Sequence, residues 1–352
     1  MAPLTGVSFG SYPSAMTKPG ARNLVTDVEG IAVGNAQDEN IRTGVTVIVP
    51  EKRAMAAVDV RGGGPGTRET DLLDPVNHVD EVDAIVLSGG SVYGLEAASG
   101  VAAWLGARGR GYQLRNLPMV APIVPGAILF DLANGGDKNW GELPPYRALG
   151  IAAIESARPE FLLGNFGAGR GARAGNLKGG LGSASWVTED GFTIGALAAV
   201  NSVGSVLVPG TRTFWAWALE QNGELGGQTA PQLPPGGIDL DFPADSKPGQ
   251  VVSPRTNTTL GVVAVNARLT SVETKRLAVM AQDGLARAVR PVHTPYDGDV
   301  VFALAMGARE LHEPRPLMLA RLGTIAADCL ARAIARSVYE ARPIDGVPAY
   351  RG

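Results

Sequence analysis

Apolar residues along this chain follow two rhythms. Short runs rich in β-branched side chains at 45–49, 56–60, 84–87, 194–200, 260–265 and 300–303 predict strands, because such side chains fit a pleated, half-buried surface. Apolar positions recurring every three or four residues at 93–105, 146–157, 271–289 and 320–340 predict helices. The two kinds of element mix along the whole length, so the fold class is α/β or α+β. One stretch follows neither rhythm. Residues 221–256 hold six prolines, several glycines and the acidic residues Asp239, Asp241 and Asp245. They predict a long loop that delivers the chain to Asn257, Thr258 and Thr259, at the head of the strand 260–265. The junction leaves 95 residues after Asn257, and no internal repeat competes with that division.

With 352 residues, 45% apolar and 18% charged, the chain is able to bury one large core or two modest ones. A net charge of −3 without any run of Lys or Arg argues against a nucleic-acid partner. The single cysteine, Cys329, lies in an apolar pattern; it excludes an internal disulfide and fits a reducing compartment. The first 24 residues lack the apolar stretch of a signal peptide, and no window reaches transmembrane length. A cytoplasmic protein with no membrane partner is expected. His78, His293 and His312 stand far apart without ligand spacing, so neither a metal nor a cofactor is expected.

Glycine, 47 residues in all, gathers at 62–66 and 164–182. Neither cluster is a nucleotide loop: Gly62, Gly64 and Gly66 miss the dinucleotide spacing, and Lys178 precedes Gly179 where a phosphate loop needs Ser or Thr. Turns and close backbone approaches remain, with exposed N–H groups that suit an oxyanion or a carboxylate. Asp297, Gly298 and Asp299 form either an Asp-Gly turn or a carboxylate pair able to hold a cation or orient a catalytic group. Lys178 is the one Lys of its glycine-rich stretch, an exposed loop residue or a site charge. Asn201, after the run ending at Val200, is a turn former or a side-chain donor to an oxyanion. Thr258 either reflects β-propensity or, if the chain is cut before it, carries a hydroxyl nucleophile and an α-amine base of pKa about 8 on one residue.

In their order these motifs resemble the L-aminopeptidase/D-esterase (DmpA-type) family, which includes β-aminopeptidases and nylon-oligomer (6-aminohexanoate oligomer) hydrolases. The resemblance is carried by Asp59, Arg61, Gly62, Gly63 and 66–71, by Ser88, Gly89, Gly90, Tyr93, Gly94 and Leu95, and by Lys178, Gly179, Gly180, Gly182, Ala184 and Ser185. It continues through Asn201, through Asn257, Thr258 and Thr259, and through Asp297, Gly298, Asp299 and Phe302. It implies a four-layer αββα sandwich of the DmpA/ornithine acetyltransferase-like kind. It also implies a precursor that cuts itself into an α chain, 1–257, and a β chain, 258–352, which form one structural domain. The processed protomers are expected to assemble as a homotetramer, with 320–338 serving either as interface or as core.

The same resemblance implies catalytic roles for Thr258, Lys178, Asn201, Asp297 and Asp299, and substrate contacts at Gly90, Tyr93 and Phe130. Thr258 would cleave its own chain by an N-to-O acyl shift and then attack a small peptide, oligoamide or ester. Lys178 would favour the neutral α-amine, Asn201 would donate to the oxyanion, and Asp297 and Asp299 would orient Thr258. The Asn-Thr-Thr and Asp-Gly-Asp motifs are similar to the Thr-type nylon-oligomer hydrolases, whereas the segment from Lys178 to Ser185 is similar to the aminopeptidases. Phe130 precedes Asp131 where many relatives have Tyr, so a phenolic hydroxyl is missing there and Tyr93 is the alternative source. Two other readings stand beside this one: an unprocessed protein binding a small anion or nucleotide, and an acyltransferase on the related fold.

Overall fold

Period-2 alternation in the strands and an apolar stripe on each helix sort the chain into layers. A computed structural model describes residues 17–352 except Asn116, Pro234, Leu240, 248–256 and Asp345. Sheet one has six strands in the order Gly180–Val187, Thr193–Asn201, Thr258–Ala267, Val300–Arg309, Ala54–Val60, Glu81–Val82. Only the pairing of Thr258–Ala267 with Val300–Arg309 is parallel. Sheet two has five, in the order Ile31–Asp38, Thr43–Pro50, Ile85–Ser88, Gly126–Ile128, Thr67–Arg68.

Side chains leave a strand alternately to either face. In Thr258–Ala267, Leu260, Val262 and Ala264 turn towards sheet two and join Phe302, Ile48, Ile85 and Leu87 in an inter-sheet core. Val263 and Val265 turn the other way, into a core with α3 (Ser271–Ala281), α4 (Asp283–Ala288) and α5 (Arg315–Tyr339). A third core joins Val45, Val47 and Val86 of sheet two to Val101 and Leu105 of α1 (Glu96–Gly106) and Ile154 of α2 (Tyr146–Glu155). Three cores separate four layers: helices, sheet, sheet, helices. Sheet one takes strands from both sides of Asn257, and the first turn of α3 is closed by a capping box between Thr270 and Glu273.

Of the two alternatives for 320–338, core packing holds for Leu322, Ala326, Leu330, Ala333, Ile334 and Val338, which are buried against sheet one. Two sequence expectations change. The glycine-rich stretch 164–182 is not turns throughout, since its end enters the edge strand Gly180–Val187. A Cβ on Gly182 would stand 2.0 Å from the Ala333 carbonyl oxygen, so this glycine is what lets α5 lie on the strand. The expected helix 271–289 breaks at Gln282, whose amide is drawn to the Asp59 carbonyl at 2.8 Å.

The start of the long loop is tied down by charge. Arg332 on α5 binds Glu224 with Nε at 2.6 Å and Nη2 at 3.0 Å, a buried bidentate pair, and also donates to the Ser185 carbonyl at 2.9 Å. From Glu220 to Lys247 the described residues contain neither helix nor strand, as expected; residues 248–256 of the same expectation, and residues 1–16 of the amino-terminal one, lie outside the described residues. Among the described residues no helix is long and apolar enough to cross a membrane.

Candidate active site

Sheet register assembles the site around Thr258. Asn201, the last residue of its strand, is paired directly opposite Thr258. On the other side Asn257 forms a parallel bridge with Asp297, so the turn Asp297–Gly298–Asp299 flanks the junction. Alternation along the strand sends Thr258, like Leu260, to the inter-sheet face, and Thr259 to the helix face. Asn257, Thr258 and Thr259 are all buried.

At the junction, Thr258 Oγ1 donates to the carbonyl oxygen of Asn257 at 2.5 Å, and the Gly298 N–H donates to the same oxygen at 2.8 Å. A hydroxyl and a backbone donor therefore converge on one peptide carbonyl. A Cβ on Gly298 would fall 2.6 Å from Thr258 Oγ1, so the position demands glycine for close approach. The second turn that packs here belongs to 62–64: Gly64 N–H donates to the Asp297 carbonyl at 2.8 Å, and Arg61 N–H to the Asp299 carbonyl at 3.0 Å.

The carboxylates hold the turn and the strand rather than the hydroxyl. Asp299 Oδ1 accepts the Thr259 N–H at 2.8 Å, and its Oδ2 meets His293 Nδ1 at 2.8 Å. Asp297 accepts from Thr294 Oγ1 at 2.7 Å, from Thr294 N–H at 2.9 Å and from Val203 N–H at 3.2 Å. Burial, reinforced by the Asp299 charge, pushes the Asp297 carboxyl up to about 6. Among the described residues no hydrogen bond joins either carboxylate to Thr258. Asp299 fixes the backbone just after Thr258, and Asp297 fixes its own turn and the Val203 N–H.

Lys178 is buried, not an exposed loop residue, and its ammonium donates to the carbonyls of Gly169 (2.9 Å), Ala172 (2.9 Å) and Gly179 (2.7 Å). Three acceptors consume its three donors. Burial and then Arg170 lower its pKa to about 7, against the raising effect of Asp131. Asn201 donates its amide to the Phe130 carbonyl at 3.0 Å and accepts the Arg173 N–H at 2.9 Å. Phe130 thus reaches the site through its backbone. Gly90 connects through the next residue, its N–H donating to Asp131 Oδ1 at 2.7 Å. Tyr93 is 44% exposed and packs edge-on against Trp140, with no hydrogen bond to Thr258 among the described residues.

Three groups escaped the sequence reading. Lys247, at the end of the described loop, donates to Asn257 Oδ1 at 2.8 Å and to Asn201 Oδ1 at 3.3 Å. Burial and then Arg173 lower its pKa to about 7, while Asp297 raises it. The Gly298 N–H is a backbone donor with no signature beyond the Asp-Gly-Asp turn. Tyr146 supplies a phenol behind Gly90: a Cβ there would fall 2.4 Å from its hydroxyl oxygen, and burial raises the phenol's pKa. The sequence placed it only at the start of the predicted helix 146–157. Among the described residues no group of three His, Cys, Asp or Glu is arranged to hold a metal ion.

Comparison with known proteins gives this geometry its context. The chain resembles in fold an L-aminopeptidase D-Ala-esterase/amidase from Ochrobactrum anthropi, described as a prototype for the serine aminopeptidases and a variant of the N-terminal-nucleophile (Ntn) hydrolase fold. That likeness has a TM-score of 0.65 at 22% identity and covers 94% of this chain and 89% of the other. A β-aminopeptidase from Burkholderia gives a TM-score of 0.65 at 21% identity, with 95% and 91% covered. In sequence it is 44% identical to an uncharacterized aminopeptidase of Mycobacterium tuberculosis over 346 residues, 94% of this chain and 97% of the relative. It is 32% identical to a 6-aminohexanoate-oligomer endohydrolase of Kocuria over 293 residues, 81% and 75%. The family model for peptidase family S58 matches residues 23–350. The four-layer fold is thus that of the Ntn hydrolases, and the chain, an amide-cleaving hydrolase, belongs to peptidase family S58.

Proposed function

We propose that this hydrolase processes itself between Asn257 and Thr258 and works through Thr258 as an N-terminal threonine nucleophile. The observation that carries the reading is the convergence of Thr258 Oγ1 and the Gly298 N–H on the Asn257 carbonyl oxygen. In the precursor, Oγ1 adds to the carbonyl carbon and the Gly298 N–H stabilises the oxyanion. The hydroxyl proton passes to the Thr258 nitrogen, the C–N bond breaks, and an ester joins Asn257 to the Thr258 oxygen. Water then hydrolyses the ester, leaving a carboxylate on Asn257 and a free amine on Thr258.

The new amine, of pKa about 8 when unperturbed, takes the hydroxyl proton when a substrate carbonyl enters. Thr258 attacks, expels the amine of the substrate and forms an acyl-enzyme that water clears. Lys247 holds the Asn257 side chain, and the neighbouring cations Lys178 and Lys247 favour the neutral form of the α-amine. Asp297, Asp299 and Asn201 position the strand and turn. The α chain ends at Asn257 and the β chain starts at Thr258, and the two share sheet one. Amide substrates with a free amino group, as the aminopeptidase names of the relatives suggest, are the class we assign; oligoamides and esters follow the same chemistry. The tetramer rests on the family resemblance alone.

Thr258→Ala tests the assignment. It should purify as one full-length chain, folded and without amidase activity. Two fragments, or activity in the intact variant, would overturn the role of Thr258.

A further inference from the structure

Beside the candidate site lies a cleft of about 310 Å³ whose wall is unusually cationic. Arg42, Arg170 and Arg173 line it together with Lys178, Asn134 and Val347. These residues come from four distant parts of the chain, so no sequence run announced them. Arg173 is half-buried, makes no ion pair among the described residues, and keeps its Nε buried without a hydrogen-bond partner. Arg170 is paired with Glu39, yet its Nε is also buried without a partner. Arg42 donates to the Asn134 carbonyl at 3.0 Å. Arg170 and Arg173 thus border the cleft while each keeps one buried guanidinium donor that the protein leaves unpaired, a costly arrangement that a bound anion would offset.

The cleft adjoins the nucleophile. The Arg173 N–H binds the Asn201 side chain, and Asn201 is the cross-strand partner of Thr258. Arg173 is in turn the register partner of Lys178 in a two-residue hairpin. Opposed strand neighbours stand about 5 Å apart, so a single residue, Asn201, links the cleft-lining Arg173 to Thr258. Asp131, which does not line the cleft, is engaged by Thr43 Oγ1 at 2.7 Å and by the Gly90 N–H at 2.7 Å.

We infer that this arginine cleft is a carboxylate subsite, and that the enzyme prefers amide substrates carrying a carboxylate a few bonds from the scissile carbonyl. The substrate part of this inference rests on the hydrolase reading above; the binding part does not. Arg, with its planar fork, suits a carboxylate better than Lys does. A carboxylate there could come from either side of the scissile bond: from an acidic acyl residue or from the free carboxyl end of the leaving amine.

Binding is measured first, by thermal unfolding of the full chain in 10 mM glutarate against chloride of matched ionic strength. The Thr258→Ala precursor is included, because it has no free α-amine to bind the anion instead. Glutarate should raise the Tm of the wild type and of Thr258→Ala by about 2 °C. Arg173→Met should abolish that shift, and Arg173→Lys should keep part of it. Equal shifts in Arg173→Met and wild type, or none in either, would overturn the inference whether or not the protein cleaves itself.

Isosteric substrate pairs then locate the carboxylate. Aspartyl against asparaginyl p-nitroanilide probes the acyl side, and alanyl-alanine against alanyl-alanine amide probes the leaving side. In one pair the acid should win by tenfold or more in kcat/KM, with the ratio falling towards one in Arg173→Met and at high salt. Ratios near one for both pairs in the wild type would refute the substrate preference. Turnover of none of the four would count against the hydrolase reading and leave the glutarate result to decide the subsite.

Discussion

Gly298→Ala tests the geometry of the junction with a single methyl group. The added Cβ would stand 2.6 Å from Thr258 Oγ1 and 2.9 Å from the Gly64 carbonyl oxygen, where ordinary contacts begin near 3.4 Å. Gly298 does not have a positive φ, so alanine suits its backbone and the clash is the whole perturbation. Relief has two routes. Either Oγ1 retreats by about 0.8 Å, or the turn retreats and lengthens the 2.8 Å bond from Gly298 N–H to the Asn257 oxygen. A misplacement of about 1 Å costs on the order of 100-fold in rate. Loss of an oxyanion donor costs about 100- to 1,000-fold. Processing should therefore slow by about 100-fold. Overpacking of this kind costs about 1–3 kcal/mol, which a domain stable by about 5–15 kcal/mol tolerates. The assay follows fragment formation by denaturing electrophoresis and intact mass from a freshly purified chain, with a thermal melt to confirm folding. Adding Thr258→Ser to the same chain should recover part of the rate, because serine has more freedom about χ1. A folded Gly298→Ala protein that processes at the wild-type rate would refute the reasoning.

Other outcomes follow from the packing and the buried charges. Glu224→Ala strands the buried Arg332 guanidinium, so unfolding stability should fall by about 3–5 kcal/mol, measured by denaturant titration. Gly182→Val drives a side chain into the Ala333 carbonyl and should lower Tm by several degrees or prevent folding, read by circular dichroism. Lys178 has a folded pKa of about 7, below its ordinary value of 10.5, so the unfolded chain binds the extra proton between those limits. The penalty for burying it is complete below pH 7 and is relieved as pH rises through that window, a swing of a few kcal/mol. Lys178→Met should accordingly lose stability relative to wild type as pH climbs from 7 to 10, and a pH-independent difference would count against the shift. Lys247→Met removes its bond to the Asn257 side chain and should slow processing about tenfold while leaving Tm within a few degrees; unchanged fragment kinetics would remove it from the site.

Much of the fold was legible because burial imposes period on sequence. The run 260–265 became the centre of sheet one, and the helical rhythm at 320–340 became α5, since both must hide apolar side chains on defined faces. The strand Gly180–Val187 was harder to read. Its glycines answer to the approach of α5, a tertiary demand that looks locally like a turn. At the site, Thr258, Asn201, Asp297 and Asp299 were named from ordered motifs, and sheet register does bring them to one end of adjacent strands. Their contacts were less legible. Lys178 spends its donors on three carbonyls, and the donor to the junction carbonyl is the Gly298 N–H rather than the Asn201 amide. Backbone donors leave no mark on residue identity, and Lys247 sits in a proline-rich stretch with no period to place it.

The central claim is that the peptide bond between Asn257 and Thr258 is broken by Thr258 itself. Intact-mass analysis of the purified wild-type protein beside Thr258→Ala tests it most directly. Wild type should give two fragments, one ending in the carboxylate of Asn257 and one beginning with the free amine of Thr258, while Thr258→Ala should give one uncut chain. An uncut wild-type chain with full amidase activity, or cleavage at the same bond in Thr258→Ala, would contradict it.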